Sequence, residues 1–445
     1  MSNNKSNASR RDFLKTSSVA TAAGASLLAS LSAVQAAHTS YDETIKIGMI
    51  GCGGRCTGAA DQAMNTEGPT KLIAMCDAFG DRLDGSLETL KRKHKDKVDV
   101  PEERRFVGFE GYKQLLDTDI DVVLIATPPG FRPVHFEAAV NAGKHIFAEK
   151  PVAVDAAGVR RFLAAVQVSK QKNLLVQIGL QRRHERAYME TIQRLQDGAI
   201  GDIVAARAYW NGAGVWTRNR QEGQTEMEYQ MRNWYYFNWL CGDHITEQHI
   251  HNLDVINWLM GSAPVKAQGQ GGRQVRTSKE HGEIYDHHMV EFTYGDTPYG
   301  KDAVLLSQCR HIPKCWNKVD EFAHGSNGSC HIGKARIFDK NGVETWAYGG
   351  GGRDGHQQEH HDLFADLRAG KLPNEGEYGA MSTMTSVLGR MATYSGQEIT
   401  MADALASEVV ISPIDKFTSM TDTPPVLPND DMTYNIPTPG VTKVL

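Results

Sequence analysis

Between positions 243 and 254 the chain reads DHITEQHIHNLD, a stretch with three histidines, two aspartates and a glutamate. Such a crowd could bind a metal, move protons, or form the wet side of a buried helix. The wider span 242–261 carries the marks of one helix. Asp243 suits its N-cap, Gly261 its C-cap, and Ile250, Leu253, Ile256 and Leu259 recur at core spacing. On that helix His244, Glu247 and His251 fall at three- and four-residue intervals and share a face. His249 and Asp254 lie off the line, His249 by roughly 160° from His251. Residues seven apart are about 10 Å apart along the axis, too far for one ion on an unbroken helix. The face therefore favours acid/base work, with Glu247 orienting and charging His251, and no metal site is assigned.

A second chemical signal lies at 45-IKIGMIGCGGRCTGAADQAM-64, where an apolar strand runs into glycines and then an Ala-rich helix. Gly51 permits the tight turn. Gly53, followed by Gly54, lets backbone N–H groups approach a pyrophosphate at the helix start. Cys56 stands where a third glycine is expected and is small enough for close helix–strand packing. The next apolar run, 72-LIAMCD-77, ends in Asp77, whose carboxylate can accept hydrogen bonds from the adenosine ribose and repels a 2′-phosphate. NAD is thus favoured over NADP, with Arg82 close enough to soften the preference. Two further strand ends, at Thr127-Pro128 and Glu149-Lys150, fall where ligands of such sheets bind. Arg55 and His135 complete the candidate cofactor contacts.

The joint order of 48-GMIGCGGR-55, Asp77, 123-VLIATPPGFRPVHFEAAVNAGKHIFAEKP-151 and 251-HNLD-254 resembles the glucose-fructose oxidoreductase/inositol dehydrogenase/MocA (Gfo/Idh/MocA) family. The resemblance covers nearly all of the chain beyond its first segment. It implies NAD(H) or NADP(H) and redox chemistry at secondary alcohols of sugars and cyclitols, and some members are glycosidases that use NAD catalytically. It implies that Lys150 contacts substrate and nicotinamide and that His251 holds the position of the catalytic base. The family usually has a D-x-G-x-H pattern here, so Glu247 replaces the aspartate and His249 the glycine. It also implies an arginine and an aromatic on the substrate side after 177-QIGLQRRHERAY-188, which makes Arg182 and Arg183 candidates. The aromatic, polar stretches 209–218 and 231–240 suit stacking on sugar faces. Arg232, Asn233 and Trp234 are the preferred substrate contacts there, with His249 beside them. Asp286 and His287 read as a structural pair, and the histidines at 356–361 lie on a helix placed to close over the cleft.

These residues need a scaffold. At 445 residues the chain exceeds a single core. Alternating strands and helices over 44–166 describe an N-terminal Rossmann doubly wound parallel sheet. The resemblance implies that 167–415 is an α+β domain with a large, open, mainly antiparallel sheet, completing an α/β protein. The Pro-rich stretch 416–445 reads as an extended arm suited to a neighbouring subunit, within a homodimer or homotetramer. Residues 1–37, with Arg10, Arg11 and a weakly apolar Ala/Ser-rich stretch, look like a twin-arginine signal that leads to the periplasm. The stretch is too short and polar for a permanent membrane anchor. Seven cysteines without regular spacing describe no disulfide framework. A balance of 48 basic and 53 acidic residues, with no basic stripe, argues against nucleic acid.

The expected protein is an exported, NAD-dependent oxidoreductase acting on a secondary hydroxyl of a sugar, cyclitol or glycoside, with a tightly held, recycled cofactor. The alternative is an NAD-dependent glycoside hydrolase or epimerase working by oxidation, elimination and re-reduction. A non-catalytic sugar-binding protein is disfavoured, since a binder needs no acid/base pair.

Overall fold

The computed structural model describes residues 43–352 and 354–445, so the twin-arginine segment lies outside the described residues. Six short runs form a parallel sheet: β1 (Ile45–Ile50), β2 (Thr70–Asp77), β3 (Arg105–Val107), β4 (Val122–Ile125), β5 (His145–Ala148) and β6 (Val176–Ile178). Their spatial order is β3-β2-β1-β4-β5-β6, so the order reverses between β1 and β4. Helices cover both faces, which is why β4 and β5 are continuous buried runs rather than alternating ones. The first domain reaches past the expected limit at 166, because that position lies inside the crossover helix Ala156–Gln171 that leads to β6. It also recruits a distant piece. The helix Gly355–Arg368 inserts Leu363, Phe364 and Leu367 into the cluster built on Ile45, Ile47 and Leu72.

The second sheet has nine strands: β7 (Ile203–Gly212), β8 (Lys266–Gly272), β9 (His287–Thr293), β10 (Val304–His311), β11 (Lys318–Gly325), β12 (Gly328–His331), β13 (Arg336–Asp339), β14 (Glu344–Ala347) and β15 (Ile399–Thr400). They lie in the order β14-β13-β12-β11-β7-β10-β9-β8-β15. All neighbours are antiparallel except β7 and β10. Ala206, Ala208, Leu305, Val290 and Phe292 form its buried inner face. The helices Ile250–Met260 and Gly376–Ser395 pack there, and the same apolar cluster continues into the first domain through Ile50 and Val123. Among the described residues no helix is long and apolar enough to cross a membrane.

Two expectations change. The expected helix over 242–261 is broken into His244–Glu247 and Ile250–Met260. At the break His249 turns inward, and its Nε2 meets Ser307 Oγ on β10 at 2.7 Å. Gly261 does end the second piece, with φ +65°. The C-terminal stretch lies against its own chain rather than reaching away from it. Tyr434 Oη donates to Glu226 (2.6 Å), the Gly440 N–H to the Ser395 carbonyl (2.8 Å), and Tyr285 Oη to the Pro437 carbonyl (2.9 Å).

Candidate active site

A cavity of about 640 Å³ runs between the two domains. Its first wall is the turn after β1. Gly51 sits at φ +92°, and a Cβ there would come within 3.1 Å of the Ala126–Thr127 backbone. Gly53 and Gly54 are open on the side where a Cβ would stand, at the start of the helix Gly54–Met64. This leaves a bare cradle of backbone N–H groups of the kind a pyrophosphate occupies. Cys56 packs against β4, its Sγ 3.7 Å from the Leu124 carbonyl, so a cysteine fills the tight position without widening it.

Asp77 ends β2 and takes the Cys52 N–H (2.6 Å) and the Phe79 N–H (2.9 Å) on its two oxygens. Burial raises its pKa. Each oxygen keeps a further lone pair for a ribose hydroxyl. Arg82, Thr127, Pro128 and His135 line the same cavity, as expected. His135 Nδ1 meets Thr127 Oγ1 at 3.1 Å, and burial with the Arg132 charge pushes the imidazole down to about 3, so it is neutral. Arg55 also lines the cavity, but its guanidinium is held by Glu149 and Glu359. Burial opposes ionisation of Glu149. Arg55, Lys150 and Arg132 overcome it and hold the carboxyl below its ordinary value.

At the other end Lys150 reaches across the domain boundary. Its Nζ donates to the Glu247 carbonyl (2.6 Å) and to Glu247 Oε1 (3.2 Å). His251 lines the cavity beside them, with its ring nearly parallel to Trp210, 23° between planes and 5.8 Å between centroids. Burial pushes its pKa well down, helped by the charges of Lys150 and Arg182, and its Nδ1 has no protein partner. Lys150, Glu247 and His251 therefore line one cavity. The expected pairing of Glu247 with His251 does not form, because the helix that was to align them is broken, Glu247 is taken by Lys150 and the imidazole is held neutral.

Several expected substrate contacts lie elsewhere. Arg182 is buried in an ion pair with Glu321, which also accepts from Tyr188 Oη (3.0 Å). Arg183 forms a two-pronged pair with Asp254 at 2.8 and 2.9 Å, over the Tyr378 ring. Both arginines fill charge-matched internal sites rather than the cavity. His249 is spent on Ser307. Asn233 is fully buried, receiving the Arg218 N–H (2.8 Å) and donating to the Glu280 carbonyl (2.8 Å). Arg232 and Trp234 do line the cavity, Arg232 on its Phe79 side. There Arg232 lies 4.0 Å over the Phe79 ring and grips Asp81 at 3.0 and 3.1 Å.

The residues that take the vacated places include Trp210, Trp216, Gln248 and His356. Trp210 and Trp216 belong to the aromatic stretch already visible in the sequence. Because strand alternation on β7 buries Ala206 and Ala208, it also turns Trp210 inward, a signal that was available. Gln248 carried none, since it occupies the unforeseen helix break. Asp286 is structural, accepting the N–H groups of Gln274, Val275 and Arg276 and pairing with His287 at 2.8 Å.

Comparison with known proteins agrees with this arrangement. Residues 45–179 match the family model described as oxidoreductase family, NAD-binding Rossmann fold, and residues 188–314 match the GFO/IDH/MocA C-terminal domain. An inositol 2-dehydrogenase of Salmonella typhimurium is 28% identical over 220 residues, which is 49% of this chain and 55% of that one. The match thus spans about half the length of that relative. The structure of scyllo-inositol dehydrogenase from Lactobacillus casei, with bound NAD(H) and scyllo-inositol, superposes with a TM-score of 0.60 at 22% identity, covering 81% of this chain and 100% of that one. The aldose-aldose oxidoreductase of Caulobacter crescentus, complexed with glycerol, gives 0.62 at 17% identity, covering 80% and 100%. With both domain models matched in order, this chain belongs to the Gfo/Idh/MocA oxidoreductase family and carries its NAD-binding Rossmann fold.

Proposed function

We propose that the protein is an NAD-dependent dehydrogenase that oxidises a secondary hydroxyl of a sugar, cyclitol or glycoside. The observation that carries this reading is the convergence of Lys150, Glu247 and His251 on the cavity that also holds the glycine turn and Asp77. Gly51, Gly53, Gly54 and Asp77 would hold the dinucleotide, and bound NAD supplies the acceptor for the hydride. His251 stays neutral in its buried setting and keeps a ring lone pair for the hydroxyl proton. Lys150, fixed by the main-chain carbonyl and Oε1 of Glu247, retains one N–H to donate to the hydroxyl oxygen. Trp210 backs His251 and offers a flat apolar face toward a sugar ring.

The Arg232–Asp81 contact supports a retained cofactor, since it bridges second domain to first over the end marked by Asp77. A retained cofactor must be restored within each cycle. A second, reducible substrate would do this, as would oxidation, elimination and re-reduction of one glycoside. The paired Arg10 and Arg11 support export of the folded protein to the periplasm. The outer face of the nine-stranded sheet exposes Met289 and Leu306 and supports a homo-oligomer.

The test is a panel of cyclitols, free sugars and glycosides added to the NAD-loaded protein, with reduced-nicotinamide absorbance and product mass spectrometry as readouts. Oxidised product or cofactor reduction with at least one compound supports dehydrogenation. Silence across the panel in both readouts overturns it. Cell fractionation tests export, and light scattering after size exclusion tests the oligomer.

A further inference from the structure

Behind the proposed site lies a buried trio that the hydroxyl chemistry does not use. Asp243, His244 and His288 are fully shielded from solvent. Asp243 and His244 begin the short helix that ends at Glu247, whereas His288 comes from the inner face of β9. One ring nitrogen of each histidine and a carboxylate oxygen of Asp243 lie within 4.8 Å of one another. His244 Nδ1 is 2.7 Å from Asp243 Oδ1, and His288 Nε2 is 3.2 Å from Oδ2.

The surrounding hydrogen bonds decide what His288 presents. Thr393 Oγ1 donates to the Arg390 carbonyl (3.0 Å), so it accepts from His288 Nδ1–H (2.9 Å). Nε2 then carries a lone pair, unless the ring holds a second proton, and it makes no hydrogen bond. A lone pair 3.2 Å from a carboxylate oxygen in a dry interior, with no proton shared between them, is repulsive, so a positive centre belongs near both. Two ligands bonded at ~2.0–2.1 Å to a tetrahedral ion stand about 3.3 Å apart, close to the 3.2 Å between His288 Nε2 and Asp243 Oδ2. His244 Nδ1 and Asp243 Oδ1, at 2.7 Å, stand instead at hydrogen-bond distance, a contact the ion replaces. An imidazole anchored through its other nitrogen is also how metal-binding histidines are usually held. Asp243 itself sits at φ +69°, a strained setting for a residue with a side chain, fixed by the Tyr285 N–H (3.0 Å) and Tyr394 Oη (2.6 Å).

We propose that Asp243, His244 and His288 form a site for one zinc-like divalent transition-metal ion. The ion ties the turn before Glu247 to β9 and so holds the proposed acid/base groups in register. It is a structural site, closed to substrate, and uses neither Glu247 nor His251.

The test uses full-length protein purified without a metal-affinity tag or chelator. Elemental analysis is expected to find about one equivalent of metal per chain. Chelator-dialysed protein titrated with Co²⁺ is expected to show tetrahedral d–d absorption, and Zn²⁺ is expected to raise its Tm. Asp243→Asn and His288→Gln should each remove most of the metal and the Co²⁺ signal, with retained NAD binding showing that the variant is folded. Metal-free protein without a Co²⁺ signal or a Tm rise overturns the proposal and leaves His288 as an imidazolium paired with Asp243. Metal retained by both variants places it elsewhere and overturns it equally. Should either variant fail to fold, the Co²⁺ titration of the unaltered protein decides.

Discussion

His251 and Lys150 divide the work of one proton between a neutral ring and an anchored ammonium, so their substitutions should leave different signatures. His251→Asn removes the base, and kcat should fall by about 10²–10⁴-fold, while NAD affinity measured by fluorescence titration stays unchanged. Glu247→Asp withdraws the carboxylate from Lys150 Nζ by one methylene. It should lower kcat/KM less than Glu247→Ala does, because a carboxylate stays near the lysine, while the main-chain carbonyl that holds Nζ at 2.6 Å is kept in both variants. The sequence singled out these residues through the E-K-P and H-N-L-D motifs of the family resemblance, and the fold brings them to one cavity. Arg182 and Arg183 show the limit of that reading. An arginine in a motif announces a charge, but its partner, Glu321 or Asp254, lies 139 or 71 positions away. Only the fold shows that the charge is already spent.

The elements around the site are held by such spent charges. Glu321→Ala would strand Arg182 in a buried setting and should cost roughly 3–5 kcal/mol, read as a lower midpoint in urea. Substrate KM should change little, which separates this role from the substrate contact expected for Arg182. The Arg232–Asp81 bridge is different, because Asp81 is largely exposed. Asp81→Ala should leave folding stability nearly intact yet speed NAD release in a stopped-flow chase, and unchanged release would remove the support for cofactor retention. The broken helix 242–261 was invisible because its apolar spacing is continuous. What breaks it is a tertiary bond from His249 to Ser307 on β10, which local propensity does not encode. Strands β1, β2, β4 and β5 of the first domain were plain, since each is an apolar run ending in a turn or a ligand-facing residue, whereas β3, three partly exposed residues starting at Arg105, carries no such signal. The helix Gly355–Arg368 was correctly found, but its packing into the first domain depends on a chain return of about 300 residues, from Gln357 to Gln62 for example.

The whole molecule buries several histidines as neutral rings. His135 and His249 are each pushed down to about 3 by burial, against roughly 6.5 in an unfolded chain. The unfolded chain takes up their protons first, so their contribution to stability is complete above about pH 6.5. It is lost as pH falls toward 3, by up to ~1.4 kcal/mol per pH unit for each ring. Urea midpoints measured from pH 7 to pH 4 should therefore fall steeply, and His249→Gln should flatten that slope. The cofactor choice also belongs to this scale. Asp77→Ser should narrow the preference for NAD over NADP, with Arg82 available to a 2′-phosphate. The central claim is that a substrate hydride leaves a carbon held beside Lys150 and His251. Incubating NAD-loaded protein with a perdeuterated sugar or cyclitol and analysing the released dinucleotide by mass spectrometry tests this most directly. Deuterium on the nicotinamide ring of the wild type, strongly reduced in His251→Asn, is the predicted result. Absence of label with substrates that the protein demonstrably transforms would contradict it.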